Sequence, residues 1–412
     1  MNKREFIKNC SLGAMALPLS PLIKTVEKTV LPDFGKTIDW DKVREQYQLD
    51  ERYINLENGY YNILPKYTLE AQIKHLNDLN VGGSYYMRND MMEGRRSARQ
   101  YLADFLECPI DNIIITRNTT ESLNSVICGI DWKKGDEAIM ANQEYGAMLD
   151  MFKQQSKRYG MVNKFIDLPI SPTSDEEIVD LYRKQINSHT RIILLSHIVN
   201  ITGQILPVRK ICDMAHQNGV KVLVDGAHAI GHFQFNLTEL NCDYYGSSLH
   251  KWLSAPLGVG LLYVKSEHIE SLWPLFGESA YDNKHVLKLN HSGTIPLHIE
   301  MSIADAIDFY KQIGAENKEN RLRTLKNYWV EKVKNNPSIY FNTPNDTSRS
   351  CAIANVGHTS KKPQELAAYL LKEHKIWTVA IDAAGVRGCR ITPNVFNTFK
   401  ELDKFADALN HL

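Results

Sequence analysis

Along the middle of the chain, short β-branched apolar runs alternate with stretches whose apolar residues recur every three or four positions, which predicts alternating strands and helices. Ile113-Ile114-Ile115-Thr116 reads as a strand, residues 120–130 as a helix, and residues 137–141 as a second strand ending before Gln143-Glu144-Tyr145-Gly146. A helix to Tyr159, a strand through Phe165-Ile166 and a helix opening at Ser174-Asp175-Glu176-Glu177 follow. That opening predicts a capping box, with the Ser174 oxygen accepting from a free first-turn N–H and Glu177 reaching back. Arg191-Ile192-Ile193-Leu194-Leu195-Ser196 is almost wholly apolar, as strands buried on both faces are. Pro207 opens the next helix and Gly219 closes it. Strands are expected at 220–224, near Asp243-Tyr244-Tyr245 and at 259–264.

Six or seven such strands argue for an α/β fold, a mainly parallel sheet between helices on both faces. Ligands of such sheets bind beyond the carboxyl ends of the strands. Before the series come a charged amphipathic segment (40–52), the turn-like Glu57-Asn58-Gly59-Tyr60-Tyr61, and helices at 69–79 and 94–106. After it, a helical stretch from about residue 299 to 313, a polar helix at 316–334 and shorter elements predict a smaller C-terminal α+β domain. The expected division is an export signal at 1–25, an N-terminal arm at 26–55, a large domain at 56–298 and a small domain at 299–412.

Composition narrows the partners. Lys plus Arg and Asp plus Glu both number 48, and no polybasic run stands out, which argues against nucleic acid. The seven cysteines form no C-x-x-C pair, and the histidines no H-E-x-x-H pair, so no metal is expected. The opening Lys3-Arg4 followed by a short apolar stretch has the plan of an export signal of the twin-arginine type, with Lys3 where the first Arg normally stands. The stretch is too short for stable membrane insertion. Export to the periplasm is the expectation; a disordered or loosely docked arm on a cytoplasmic protein is the alternative.

The chemistry centres on residues 222–265. Asp225 closes an apolar strand, His228 follows, and Ser248-Leu249-His250-Lys251 precedes a Gly-rich turn and another apolar run. A lysine amine and a carboxylate, each leaving a strand of one sheet, are what a pyridoxal phosphate site requires: the amine forms the Schiff base and the carboxylate holds the pyridinium proton. Asp225-Gly226-Ala227-His228-Ala229-Ile230-Gly231, Ser248-Leu249-His250-Lys251-Trp252-Leu253, and Arg390-Ile391-Thr392-Pro393 followed by Phe396-Asn397-Thr398 carry a resemblance. From about residue 53 to 398 the chain resembles the class V aminotransferase family of fold-type-I pyridoxal phosphate enzymes, nearest to its isopenicillin N epimerase-like branch.

The resemblance implies a three-layer α/β/α large domain, pyridoxal 5'-phosphate as cofactor and roles for individual residues. Lys251 would be the Schiff-base lysine and Asp225 the partner of the ring nitrogen. Asn118-Thr119-Thr120-Glu121 resembles the phosphate-binding turn, the alternative being a simple Thr N-cap. Ser248 and His250 would add phosphate contacts. Gly293-Thr294 is similar to a segment that reaches the neighbouring subunit's phosphate, which implies a homodimer. Tyr145 would stack on the ring, and Asn200 and His228 would approach its phenolic oxygen, although His228 reads equally as a core histidine.

Arg390 is the candidate for the substrate carboxylate, Arg387 a weaker one, and a structural salt bridge the alternative for both. Tyr60, Tyr61 and Ser84-Tyr85-Tyr86 are expected around the small-molecule substrate, an α-amino acid or amino-acid derivative. No cysteine lies between residues 352 and 388, and Cys389 should point away from Arg390, which argues against a cysteine desulfurase. An epimerase or aminotransferase is expected, with a carbon–sulfur lyase and a non-catalytic cofactor-binding protein as alternatives.

Overall fold

The apolar runs do become strands of one sheet. Ile113–Thr116 (β1), Glu137–Ala141 (β2), Val162–Ile166 (β3), Thr190–Ser196 (β4), Lys221–Asp225 (β5), Tyr244–Ser248 (β6) and Gly260–Val264 (β7) form seven strands in the order β1-β7-β6-β5-β4-β2-β3. β2 to β6 run parallel to one another, and only β7 runs antiparallel, against β6 and β1. Successive residues of a strand face opposite sides. Ile193, Leu195, Val222 and Val224 therefore enter one core while Ile192, Leu194 and Leu223 enter another.

Helices cover both faces. Met91–Phe105, Asp175–Arg183, Val208–Gln217 and Leu297–Ile313 contribute to the first core, through residues such as Leu102, Ile178, Ile211 and Ile307. Thr119–Gly129 (α1) and Gly146–Tyr159 (α2) contribute to the second through Leu123, Val126, Met148 and Phe152. The three-layer α/β/α arrangement expected from the sequence is present. Beyond it, Ile339–Phe341 (β8), Ala354–His358 (β9), Val379–Ala383 (β10) and Val386–Ile391 (β11) form a second, antiparallel sheet in the order β10-β11-β9-β8.

The structure, a computed structural model, describes residues 30–412, and residues 31–412 form one compact unit. The expected export signal lies outside the described residues. Among those described, no helix is long and apolar enough to cross a membrane.

Three local expectations change. The helix expected at 69–79 extends over Lys66–Asn89, with a non-helical Gly83 inside it. The charged segment at 40–52 is helical only over Trp40–Glu45. Ser174 caps its helix as expected, donated to by Glu177 N at 3.2 Å, but the Glu177 carboxylate reaches back one residue further, to Thr173 N at 2.7 Å and its hydroxyl at 2.8 Å. The exposed Thr173 offers two donors where the cap offers one, so the box is shifted rather than lost.

Candidate active site

Strand ends of both sheets supply the site. Lys251, Asp225, His228, Ser248, His250, Thr119, Thr120, Tyr145, Asn200, Tyr60 and Arg390 all line one cavity of about 270 Å³. β5 ends on Asp225 and β6 on Ser248, while β4 ends on Ser196, which also lines the cavity. The turn after Asp225 requires Gly226, because a Cβ there would lie 2.1 Å from the Tyr245 ring. That close approach lets Gly226 N donate to Gly246 O at 2.8 Å and carries His228 back over the sheet end.

Lys251 Nζ lies 3.0 Å from His228 Nε2, and Trp252 Nε1 donates to His228 Nδ1 at 3.2 Å. An indole N–H only donates, so Nδ1 is the acceptor and the neutral ring carries its proton on Nε2. That proton points at Lys251, which can accept it only as an unprotonated amine. Desolvation holds Lys251 down at about 8, with Asp225 opposing the shift and Arg390 adding to it. Burial also pushes His228 well below the usual imidazole range, which keeps the ring neutral. The two groups are thus matched as N–H donor and lone-pair acceptor.

Asp225 has the opposite shift. Burial raises its carboxyl, against a 2.9 Å bond from Ala227 N and the pull of Lys251. The phosphate-type turn is built at the start of α1. Asn118 Oδ1 accepts from Glu121 N at 2.9 Å, so Asn118 is the N-cap and the threonines are released from that role. Ser248 Oγ accepts from Thr119 N at 2.9 Å and lies 2.7 Å from Thr119 Oγ1, which joins the ends of β6 and β1 into one polar surface. His250 Nδ1 is buried without a hydrogen-bond partner, and desolvation lowers this ring to about 4.

Six expected residues stand elsewhere. Tyr61 is half-buried and does not line the cavity, because the next residue is tied down on both sides: Asn62 N donates to His250 O at 3.3 Å and its side chain bonds Ser254. Thr294 is exposed on a separate cavity of about 880 Å³, together with Ser84, Arg95, Arg96 and Arg99. Ser84 therefore joins Thr294 rather than Lys251. Tyr86 donates to Met301 Sδ at 3.7 Å, and Tyr85 is exposed. Arg387 pairs with Asp382 at 3.4 Å on an exposed hairpin.

Sequence reasoning missed three groups. Glu144, next to the flagged Tyr145, is buried, bonded through its carboxylate to Ser196 Oγ and N, and raised to about 8 by desolvation. Trp252 fixes the His228 tautomer. Glu57 pairs with Arg390, whose Nε donates to Glu57 Oε2 at 3.1 Å and whose Nη2 donates to Oε1. Only the position of Trp252 directly after Lys251 could have drawn attention beforehand.

A mainly parallel sheet with a lysine, a carboxylate and a helix-start anion turn gathered at its strand ends defines a fold-type-I enzyme. The chain belongs to the aminotransferase class-V family, whose model matches residues 63–387. It is 26% identical over 391 residues to isopenicillin N epimerase of Streptomyces clavuligerus, covering 91% of this chain and 98% of that one. It is also 26% identical over 409 residues to a probable cysteine desulfurase of Vibrio cholerae, covering 90% and 98%. The solved cysteine desulfurase of Thermococcus onnurineus NA1 superimposes with a TM-score of 0.80 at 22% identity, over 90% of this chain and 96% of that one, a likeness of fold.

Proposed function

We propose that this chain is a pyridoxal phosphate-dependent enzyme acting at Cα of an α-amino acid or amino-acid derivative, of the epimerase or aminotransferase type. The observation that carries this reading is the Lys251 amine, 3.0 Å from His228 Nε2 in a cavity also lined by Asp225. The residues fit the family's cofactor. The α1 N-terminus, Thr119, Thr120, Ser248 and the unpartnered His250 Nδ1 suit a phosphate, Tyr145 offers a ring, and Asp225 a carboxylate for a protonated ring nitrogen.

When bound, the cofactor supplies an electron sink that makes the substrate's Cα–H acidic. Lys251 is the base for that proton: desolvation brings its amine closer to the free form, and the His228 N–H orients the lone pair once the amine is free. Arg390 presents N–H groups to the substrate's acyl end, and Asn200 O accepts from its Nη1 at 3.3 Å to hold the fork. Thr294 stands on its separate exposed cavity, which supports a homodimer in which it serves the neighbouring site.

A carbon–sulfur lyase is the second reading, supported by the relatives named as cysteine desulfurases. Cys389 is buried in the core of the second sheet and raised to about 12 by desolvation, and none of the six described cysteines lines the Lys251 cavity. The thiol of a desulfurase is therefore missing from the described site, whereas a lyase acting on a sulfur-substituted amino acid needs none.

The test is a panel of amino acids incubated with holoenzyme in deuterated water, beside Lys251→Ala. Wild type should incorporate deuterium at Cα, and the variant should lose both the exchange and the yellow absorbance of lysine-bound cofactor. Retained substrate would indicate epimerisation, accumulation of the amino form of the cofactor transamination, and a released keto acid with ammonia the lyase. An absorbance spectrum unchanged by Lys251→Ala would sink the proposal.

A further inference from the structure

The arginine expected to meet the substrate is not a free cation. Arg390 Nε donates to Glu57 Oε2 at 3.1 Å and Nη2 donates to Glu57 Oε1, with both side chains almost fully buried. Nη1 donates to Asn200 O at 3.3 Å. A guanidinium carries five N–H groups. Three are therefore engaged, leaving one on each Nη at the fork. Arg390 lines the Lys251 cavity and Glu57 does not, so a ligand meets the pair from the arginine side.

Glu57 is a fixed partner. Its own N–H donates to Asn55 Oδ1 at 2.9 Å, Asn58 N donates to Thr392 Oγ1 at 2.6 Å, and Thr392 N donates to Leu56 O at 2.7 Å. The segment is thus stitched to the end of β11 on both sides of Glu57. Room for the guanidinium comes from Gly59, where a Cβ would lie 3.3 Å from Arg390 Cζ. A side chain there would crowd the fork.

We propose that Glu57 is a specificity-determining positioning residue: it cancels the charge of Arg390 while aiming its two free N–H groups into the cavity, so the subsite reads an acyl oxygen by hydrogen bonding. A substrate carboxylate entering beside a lone buried guanidinium gains strongly from its charge, because the cavity screens poorly. Beside the Glu57–Arg390 pair most of that gain disappears. Amino acids whose acyl group is neutral, such as amides and peptide-linked residues, are then accommodated alongside free acids. This inference rests on the amino-acid reading proposed above.

The test is a titration of the holoenzyme with L-alanine and L-alaninamide, compared at equal free-amine concentration and followed by the cofactor's absorbance. Wild type should bind the two within about tenfold of each other, and Glu57→Gln should move the ratio toward the acid by about a hundredfold, through tighter acid binding. Glu57→Asp, which keeps the charge, should retain the wild-type ratio. A wild-type preference for the acid above about a hundredfold, or equal weakening of both probes in Glu57→Gln, would overturn the inference and leave the amino-acid reading intact. Should Glu57→Gln fail to fold, the wild-type and Glu57→Asp ratios still decide. A holoenzyme that responds to neither probe nor to any common amino acid would instead overturn the amino-acid reading itself.

Discussion

Two buried aspartates sit at opposite ends of the same sheet and are treated in opposite ways. Asp243, just before β6, accepts from His268 Nε2 at 2.6 Å, His216 Nε2 at 2.9 Å and Val222 N at 2.6 Å. Burial alone would raise its carboxyl, but these bonds outweigh burial and lower it. Asp225, at the carboxyl end of β5, has one backbone donor, and burial raises it. A carboxylate that holds the fold together has every oxygen occupied. One held for a ligand is left under-satisfied, at a cost that the rest of the domain offsets.

The comparison can be broken by substitution. Asp225→Asn should lower the Cα exchange rate by about a thousandfold, the scale of losing a preorganised charge opposite a developing one. Its thermal stability without cofactor should stay level or rise, because an uncompensated buried carboxylate is removed; a stability loss with unchanged exchange would reverse the roles assigned here. Asp243→Asn should destabilise the fold by about 2–3 kcal/mol, seen in urea unfolding, with exchange per folded molecule unchanged.

The two should also differ in acid. A lowered carboxyl contributes stability above the ordinary carboxylate range that is lost as pH falls through its folded value. Asp243→Asn should therefore flatten the acid side of the stability profile. A raised carboxyl does the reverse, so ionised Asp225 burdens the fold above that range and the burden disappears as pH falls. The smallest effect concerns Lys251. With its amine held at about 8, the rate of cofactor loading onto apoprotein should fall about tenfold per pH unit below that value, because only the free amine attacks. A flat loading profile between pH 6 and 8 would contradict an amine held at about 8.

Much of this was legible beforehand for a physical reason. The strands of a doubly covered sheet are apolar on both faces, so runs such as Ile192 to Leu195 stand out, and the residues that leave them, Asp225 and Ser248, are marked by position. Glu57 was not legible, because its partner is 333 residues away and a Glu in a polar turn reads as a surface residue. Glu144 was hidden similarly, since its burial depends on the end of β4 closing over it. Tyr61 and Ser84 show the limit from the other side: aromatic and small polar residues near a turn signal a pocket without saying which one.

The single reversed strand, β7, has a further consequence. Because it pairs with β6 directly, Ser248 lies opposite Gly260, and Leu249 N donates to Val259 O at 3.1 Å. The segment bearing Lys251 is consequently a loop clasped at its neck. Within it Ser254 adopts a left-handed backbone with φ of +60°, retained by the Asn62 side chain. The loss of chain freedom needed to present the amine is met during folding, before any ligand arrives. Each encounter then begins with a nucleophile already in place, and loosening the clasp at Val259 would return that entropy cost to every turnover.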